Sequence, residues 1–305
     1  MALRLIAASK TDVGKLREQN EDSVFARVGA DDQAGSGIFV VSDGMGGYQA
    51  GEVASHLTVV GISEHLAHLL DPRETQPTIP LEPDKSRGKK DKRDKKARVD
   101  PVKTKPLADS NGSKTQRLTE TPELLHYSES LREAIEHGND RIREYAREHP
   151  DAKDLGATVT AALVIQGKAY VANVGDSRTY LVRDGKLQKL TRDHSFVARL
   201  VETGQIEPDD VYDHPNRNFI YRSLGAGKSD VEVDIFTEDL QPGDVLVLCS
   251  DGTWEMVRDP EIEQIVSHTD DLSKACEKLV DLANDHGGED NISVVLVRAV
   301  ASQGH

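Results

Sequence analysis

An α+β domain built on antiparallel strands is what this 305-residue sequence predicts. Three observations predict it: strand-length apolar runs joined by turn-rich segments, longer segments with apolar residues at helical spacing, and a recurring aspartate at the ends of the strand-like runs. "SVFARV" (23–28) and "GIFVVS" (37–42) flank "GADDQAGS", which reads as an antiparallel hairpin with a long loop. The start of the first strand and the end of the second then lie at the same open end. Glu21 and Asp22, just before the first strand, and Asp43, just after the second, should therefore be neighbours. "DVLVLCSDG" ends a strand at Asp251-Gly252 and "EDNISVVLVRA" begins one at Asp290-Asn291, so an antiparallel pairing would bring those two aspartates to one edge as well. "KAYVANVGDSR" ends a further strand at Gly175-Asp176.

Helical spacing predicts three helices. "GEVASHLTVVGISEHLAHLL" carries Val53, Leu57, Val60 and Leu66, and "TPELLHYSESLREAIEHGNDRIREYAREHP" carries Leu124, Leu131, Ile135 and Ile142, with Thr121 as N-cap and Pro122 in the first turn. "DLSKACEKLVDLANDHGG" puts Leu272, Cys276, Leu279 and Ala283 on one face and ends at Gly287. Between the first two helices, at about 72–120, Pro, Lys, Asp and Ser dominate and almost nothing can be buried, so the segment cannot offset the entropy of ordering and should be disordered. The chain reads as a single domain over 1–300, interrupted by this insert and followed by a tail at 301–305.

The formal net charge is −15, from 38 Lys and Arg against 53 Asp and Glu, which argues against a nucleic-acid surface and for metal ions or cationic partners. The insert is the exception: residues 73–117 hold 14 basic and 7 acidic side chains. A solvated tether is the preferred reading there, ahead of a dock for an acidic partner. Cys249 and Cys276 fall within apolar patterns and read as buried reduced thiols, which fits the cytoplasm. No window approaches the roughly 20 apolar residues of a membrane span.

Each aspartate alone has an ordinary explanation as a turn or strand-end residue. Together they do not, because clustered carboxylates without matching bases persist at neutral pH only if divalent cations neutralise them or protons bind. The ligands are all oxygen, so Mg²⁺ or Mn²⁺ suits the set better than Zn²⁺. In "FVVSDGMGGYQAGE" the glycine after Asp43 lets a backbone carbonyl approach an ion closely. Ion pairs held by carboxylates promote in-line displacement at phosphorus by water, and Arg17, four residues before Glu21, has the planar fork that suits phosphate oxygens. Neither GxxxxGK[ST] nor GxSxG occurs.

The motifs "REQNEDS", "VVSDGMGGYQAGEVAS", "GATVTAALV", "ANVGDSRTYLVRDG", "LTRDHSFVARLVETGQI", "HPNRNFIYRSLG", "GDVLVLCSDGTWEMV" and "DNISVVLV", in this order, resemble those of the metal-dependent protein phosphatases of the PPM type, the type 2C Ser/Thr phosphatases, especially bacterial members. The resemblance spans about residues 10–298 apart from the insert. It implies a four-layer α/β/β/α sandwich, two antiparallel sheets flanked by antiparallel helix pairs, with a two-ion centre of Mn²⁺ or Mg²⁺ at one edge. By position, Asp43 would bridge both ions, the Gly44 carbonyl would bind one, Asp251 and Asp290 would complete the other's shell, and Glu21 and Asp22 would hold the first ion directly or through waters. Asp176, with Asp251, would bind a third, weaker ion, and Arg17 would clamp the phosphate. Residues from about 193 to 225 correspond to a flap, with His194, Arg217 and Arg222 in it.

The sequence departs from the family where bacterial members commonly have a histidine: Tyr48 stands there, and Met45 where animal members have one. Tyr48 could contact a phosphate or leaving-group oxygen, but an unperturbed pKa of about 10 makes it a weak acid near neutrality. His194 is the substitute nearest in sequence, with a structural hydrogen bond its more ordinary role. The resemblance implies hydrolysis of phosphoserine and phosphothreonine on proteins, a Ser/Thr kinase or its targets among the substrates, by a monomer. The alternative is a catalytically weak regulatory or binding module of the same fold, recruited through the basic insert.

Overall fold

The structure, a computed structural model, describes residues 3–30, 35–46, 50–70, 122–152, 155–225 and 230–302. Its strands are β1 (Leu3–Asp12), β2 (Asp22–Val28), β3 (Gly37–Met45), β4 (Gly156–Ala157), β5 (Val159–Ile165), β6 (Lys168–Val174), β7 (Arg178–Arg183), β8 (Lys186–Lys189), β9 (Asp234–Asp239), β10 (Val245–Cys249) and β11 (Ile292–Ala301). Its helices are α1 (Ala50–Leu70), α2 (Pro122–Glu148), α3 (Phe196–Glu202), α4 (Asp251–Trp254), α5 (Asp259–Ser267) and α6 (Leu272–Asp285). One sheet has the order β1-β11-β10-β7-β8 and the other β2-β3-β5-β6-β9, with β4 pairing the end of β3. Every pairing within them is antiparallel.

Alternation along the strands builds three layers of core. Phe39, Val41, Val171, Leu181, Leu246, Leu248, Val295 and Val297 fill the space between the sheets. Their neighbours Ile38 and Val40 face the other way, onto Ile62, Leu66, Leu131 and Ile135 of α1 and α2. Val245, Val247 and Cys249 likewise meet Leu279 and Val280 of α6, with Trp254 and Ile262 in the same cluster. Both faces of the central strands are thus covered, which is why these strands read as continuous apolar runs and not as alternating ones. A fully buried Leu or Phe in these layers contributes about 2 kcal/mol from burial. The expected sandwich of two antiparallel sheets between helical layers is the observed one, and both cysteines are buried and unpaired.

Helix ends and faces differ in detail from the sequence expectation. Asp271 caps α6, accepting from the Ser273 and Lys274 N–H groups, and Gly287 leaves the helix at φ +136°. Pro122 begins α2, but Thr121 and the 72–120 insert lie outside the described residues, as do Leu124's side chain and the end of the 301–305 tail. On α1 the fully buried stripe is Ala54, Thr58, Ile62 and Leu66, while Val53, Leu57 and Val60 are only partly buried. Small residues let α1 approach closely, and Gly61 sits so near Gly138 of α2 that a Cβ on it would come within 2.9 Å of the Gly138 Cα.

The antiparallel β10–β11 pairing, Cys249 opposite Val294, brings the ends flanking Asp251 and Asp290 together. The hairpin β2–β3 pairs Asp22 directly with Asp43. Strand β3 runs further than its apolar residues suggest: Asp43 and Gly44 lie inside it, because Gly44 and Met45 find ladder partners in Ala157 and Gly156.

Candidate active site

One cleft of about 240 Å³ opens at the edge where these strand ends meet, lined by Arg17, Glu21, Asp43, Gly44, Thr158, Asp176, Asn218, Ile220, Asp251, Asp290 and Asn291 together with Met45 and Gly46. Each acidic group arrives on a different element. Glu21 precedes β2, Asp43 is in β3, Asp176 follows β6, Asp251 opens α4 after β10, and Asp290 precedes β11. The link after β6 crosses from one sheet to the other, since β6 and β7 belong to different sheets. Gly175 makes that crossing at φ +106°, where a side chain would strike Thr158.

The electrostatics show how closely the carboxylates act on one another. Burial, reinforced by Asp251, Asp22, Asp176 and Asp290, holds Asp43 well above the usual carboxylate range. Burial and then Asp176, Glu255, Asp290 and Asp22 do the same to Asp251. Burial pushes Asp22 and Asp176 up to about 7. Glu21 is raised by burial against the opposing pull of Arg17. Arg17 is the one basic side chain among the described lining residues; burial alone would lower its pKa, but Asp290, which accepts from Nη2 at 2.5 Å, raises it.

Among the described residues, no three Asp, Glu, His or Cys groups gather tightly enough to hold an ion as they stand. Mutually repelling carboxylates turn to what is available: Asp290 to Arg17, and Asp22 Oδ2 to the Ser250 hydroxyl at 2.8 Å. The set nevertheless fits hard divalent cations. Every donor is oxygen, Asp22 Oδ1 is buried without a hydrogen-bond partner among the described residues, and the raised carboxylates face a charge deficit that one arginine does not cover. At Gly44 a Cβ would fall 1.9 Å from the Gly51 carbonyl oxygen and 2.6 Å from that of Glu21, so only glycine allows backbone oxygens so close.

Of the residues singled out from the sequence, Arg17, Glu21, Asp43, Gly44, Asp176, Asp251 and Asp290 line the cleft. Asp22 is 7% exposed and sits behind it, so Glu21 is the member of that pair that faces the opening. Tyr48 lies outside the described residues. His194 is not among the lining residues: it is 1% exposed, its Nδ1 accepts the Gly175 N–H at 3.0 Å, and burial followed by Arg222 lowers its pKa. Of the two roles open to it from the sequence, the structural hydrogen bond, the more ordinary one, is therefore what His194 shows, and it does not reach the cleft as a substitute for a catalytic histidine. Arg217 and Arg222 also stay out of the cleft. Arg217 bridges Glu255 at 3.1 Å and Glu289 at 2.9 Å, and Arg222 bridges Asp234 and Glu232.

Thr158 and Asn291 were not singled out as site residues from the sequence, and Asn218 and Ile220 only as part of the flap motif "HPNRNFIYRSLG". Thr158 exchanges backbone bonds with Asp43, accepting the Asp43 N–H on its hydroxyl at 3.3 Å and donating its own N–H to the Asp43 carbonyl at 2.8 Å. Asn291 accepts the Glu21 N–H and donates to the Val13 and Gln19 carbonyls, which pins the loop carrying Arg17 and Glu21 against the start of β11. Its position beside Asp290 was the one available signal.

Known proteins share the sequence and the fold. A family model for protein phosphatase 2C matches residues 17–285. Over 297 residues the chain is 34% identical to the serine/threonine phosphatase stp of Listeria monocytogenes, spanning 97% of this chain and 97% of that one. The crystal structure of the Mycobacterium tuberculosis serine/threonine phosphatase PstP/Ppp superposes with a TM-score of 0.72 at 30% identity, covering 99% of this chain and 100% of the other. The catalytic domain of PstP in complex with two manganese ions gives 0.70 at 29% identity, with 98% and 100% covered. The chain belongs to the protein phosphatase 2C family.

Proposed function

We propose that this chain hydrolyses phosphoserine and phosphothreonine on proteins in a reaction that depends on Mn²⁺ or Mg²⁺. The observation that carries the reading is the delivery of Asp43, Asp176, Asp251 and Asp290 from four separate elements to one cleft that also holds Arg17. Glu21, Asp43, Asp251, Asp290 and the Gly44 carbonyl would hold two ions, with Asp22 supporting from behind and Asp176 and Asp251 holding a third. Bound there, the ions would neutralise the carboxylates, polarise a phosphoryl group and supply a water acidic enough to attack it.

The chain's own residues set the geometry of that attack. Arg17 is half exposed, so its guanidinium can leave Asp290 for two oxygens of an incoming phosphate and fix the ester in line. Asp290 would hold an ion in place of its arginine, which would leave Arg17 available to the phosphate. Thr158 and Asn291 hold the backbones on which Asp43, Glu21 and Arg17 ride. Asn218 and Ile220, from the flap, close one side of the cleft and border the leaving side chain.

A phosphothreonine peptide assay tests the reading. Wild type should release phosphate with Mn²⁺, lose activity on chelation and recover it on re-addition, and Asp43→Asn should lose at least about 100-fold in kcat/KM, the scale expected when a charge-stabilising group is removed. Turnover unaffected by chelation would reject the chemistry. Retained binding of a phosphoprotein with no wild-type turnover would favour a regulatory module.

We further propose a monomer acting in the cytoplasm on phosphoproteins that include a Ser/Thr kinase or its targets. Two buried reduced thiols are compatible with that compartment, and no described helix is long and apolar enough to cross a membrane. For the basic segment joining α1 and α2 a solvated tether is the preferred reading, with docking of an acidic partner the alternative.

A further inference from the structure

Two adjacent flap residues, Asp193 and His194, grip the turn that carries Asp176, and neither is part of the cleft lining. The Asp193 carboxylate takes two N–H groups of Arg178, at 3.1 Å and 2.8 Å, and the Arg178 guanidinium lies 3.4 Å over the Trp254 ring. The Trp254 indole N–H in turn donates to the Asp176 carbonyl at 3.0 Å. His194 works from the other side. Its backbone N–H donates to the Gly175 carbonyl at 2.8 Å, and its ring Nδ1 accepts the Gly175 N–H at 3.0 Å.

Those bonds settle the tautomer. Nδ1 can accept only when it carries no proton, so the proton is on Nε2, which faces Asp234 Oδ2 at 3.3 Å. Arg222 Nη1, 2.9 Å from Nε2, brings a second donor to a donor, and its own acceptor is Asp234 Oδ1 at 2.8 Å. Asp234 therefore joins the ring to the arginine. The imidazole is a fixed strut between the flap and Gly175, the one residue of the crossing turn with a left-handed backbone and no side chain to steady it.

We propose that His194 is a positioning residue: by accepting the Gly175 N–H it fixes the Val174–Gly175 peptide from which the crossing turn leads into Asp176, and thereby the aim of the Asp176 carboxylate into the cleft and the affinity for the ion that Asp176 holds. This rests on the reading above that Asp176 is an ion ligand. Groups behind a ligand that fix its orientation are worth tens-fold in ion affinity.

Trp254 is the sole tryptophan, and it is bonded to the Asp176 carbonyl, so its emission during a Mg²⁺ titration reads this site. The chains to compare are wild type, Asp176→Asn, His194→Ala, His194→Asn and His194→Gln, with the ion midpoint of phosphopeptide turnover as a second readout. Asn places an amide oxygen near the Nδ1 position and can still accept from Gly175, whereas Gln reaches toward the Nε2 position. His194→Ala and His194→Gln should shift the midpoint upward by about 10-fold or more, and His194→Asn should stay within about threefold of wild type. If His194→Ala does not fold, the Asn and Gln chains decide alone, checked by thermal unfolding. Equal midpoints for Asn and Gln, or an unshifted His194→Ala, overturn the proposal. An unshifted Asp176→Asn overturns the ion-ligand reading itself, whatever the His194 chains do.

Discussion

Asp43 stands directly across the β2–β3 ladder from Asp22, a placement of like charges that costs stability in an ordinary sheet. The cost sets the sign of a pH effect. Carboxylates whose folded-state pKa is raised bind protons more tightly folded than unfolded, so their contribution is favourable at low pH and is lost as pH rises. For Asp22 and Asp176 the window runs from the unfolded value near 4 up to about 7. With ions removed by chelator, the melting temperature should fall across that window, and saturating Mg²⁺ should flatten or reverse the fall; a chelated protein that gains stability between those pH values contradicts the arrangement. By the same reasoning, Asp43→Asn should melt higher than wild type without ions while losing activity. The site aspartates were legible in the sequence because each interrupts an apolar run at its end. Thr158 and Asn291 were not, because one looks like an ordinary β-branched strand residue and the other like a turn residue, and their work is done on backbone groups of distant segments.

Elements carry the site only as well as they pack. The approach of Gly61 to Gly138 lets α1 and α2 lie together on the sheet that holds Asp43, and Gly61→Val should destabilise by about 1–3 kcal/mol, seen as a lower melting temperature with little change in kcat/KM. Leu66 of the buried stripe of α1 was legible, but Ala54 and Thr58 escaped sequence reading because they are small or polar, whereas the larger Val53 and Leu57 lie at the margin of the stripe. The length of β3 escaped it for a related reason: Gly44 and Met45 have no strand signature, and only β4 recruits them. Arg217 ties the segment expected to act as a flap to Glu255 and Glu289 through two ion pairs that are partly exposed and together worth about 1 kcal/mol. Arg217→Ala should therefore lower kcat/KM for a phosphopeptide a few-fold and speed proteolysis near the flap. An unchanged cleavage rate would show that the latch does not hold it.

At the scale of the molecule, two sheets buried on both faces make a rigid edge, and strand connections crossing from sheet to sheet bring carboxylates far apart in the chain to that edge. The antiparallel hairpin and the long helices α1, α2 and α6 could be read from the sequence, but strand order could not, since it depends on pairings between distant segments such as β1 with β11 and β3 with β5. Replacing residues 73–117 with a short Gly/Ser linker should leave peptide turnover and melting temperature unchanged, because α1 ends at Leu70 and α2 begins at Pro122, outside the replaced stretch. The most direct measurement is anomalous X-ray diffraction from crystals of the protein grown with Mn²⁺. The expected result is manganese peaks between Asp43, Asp251, Asp290 and the Gly44 carbonyl; a cleft without manganese, its Arg17–Asp290 pair intact at saturating ion, would contradict it.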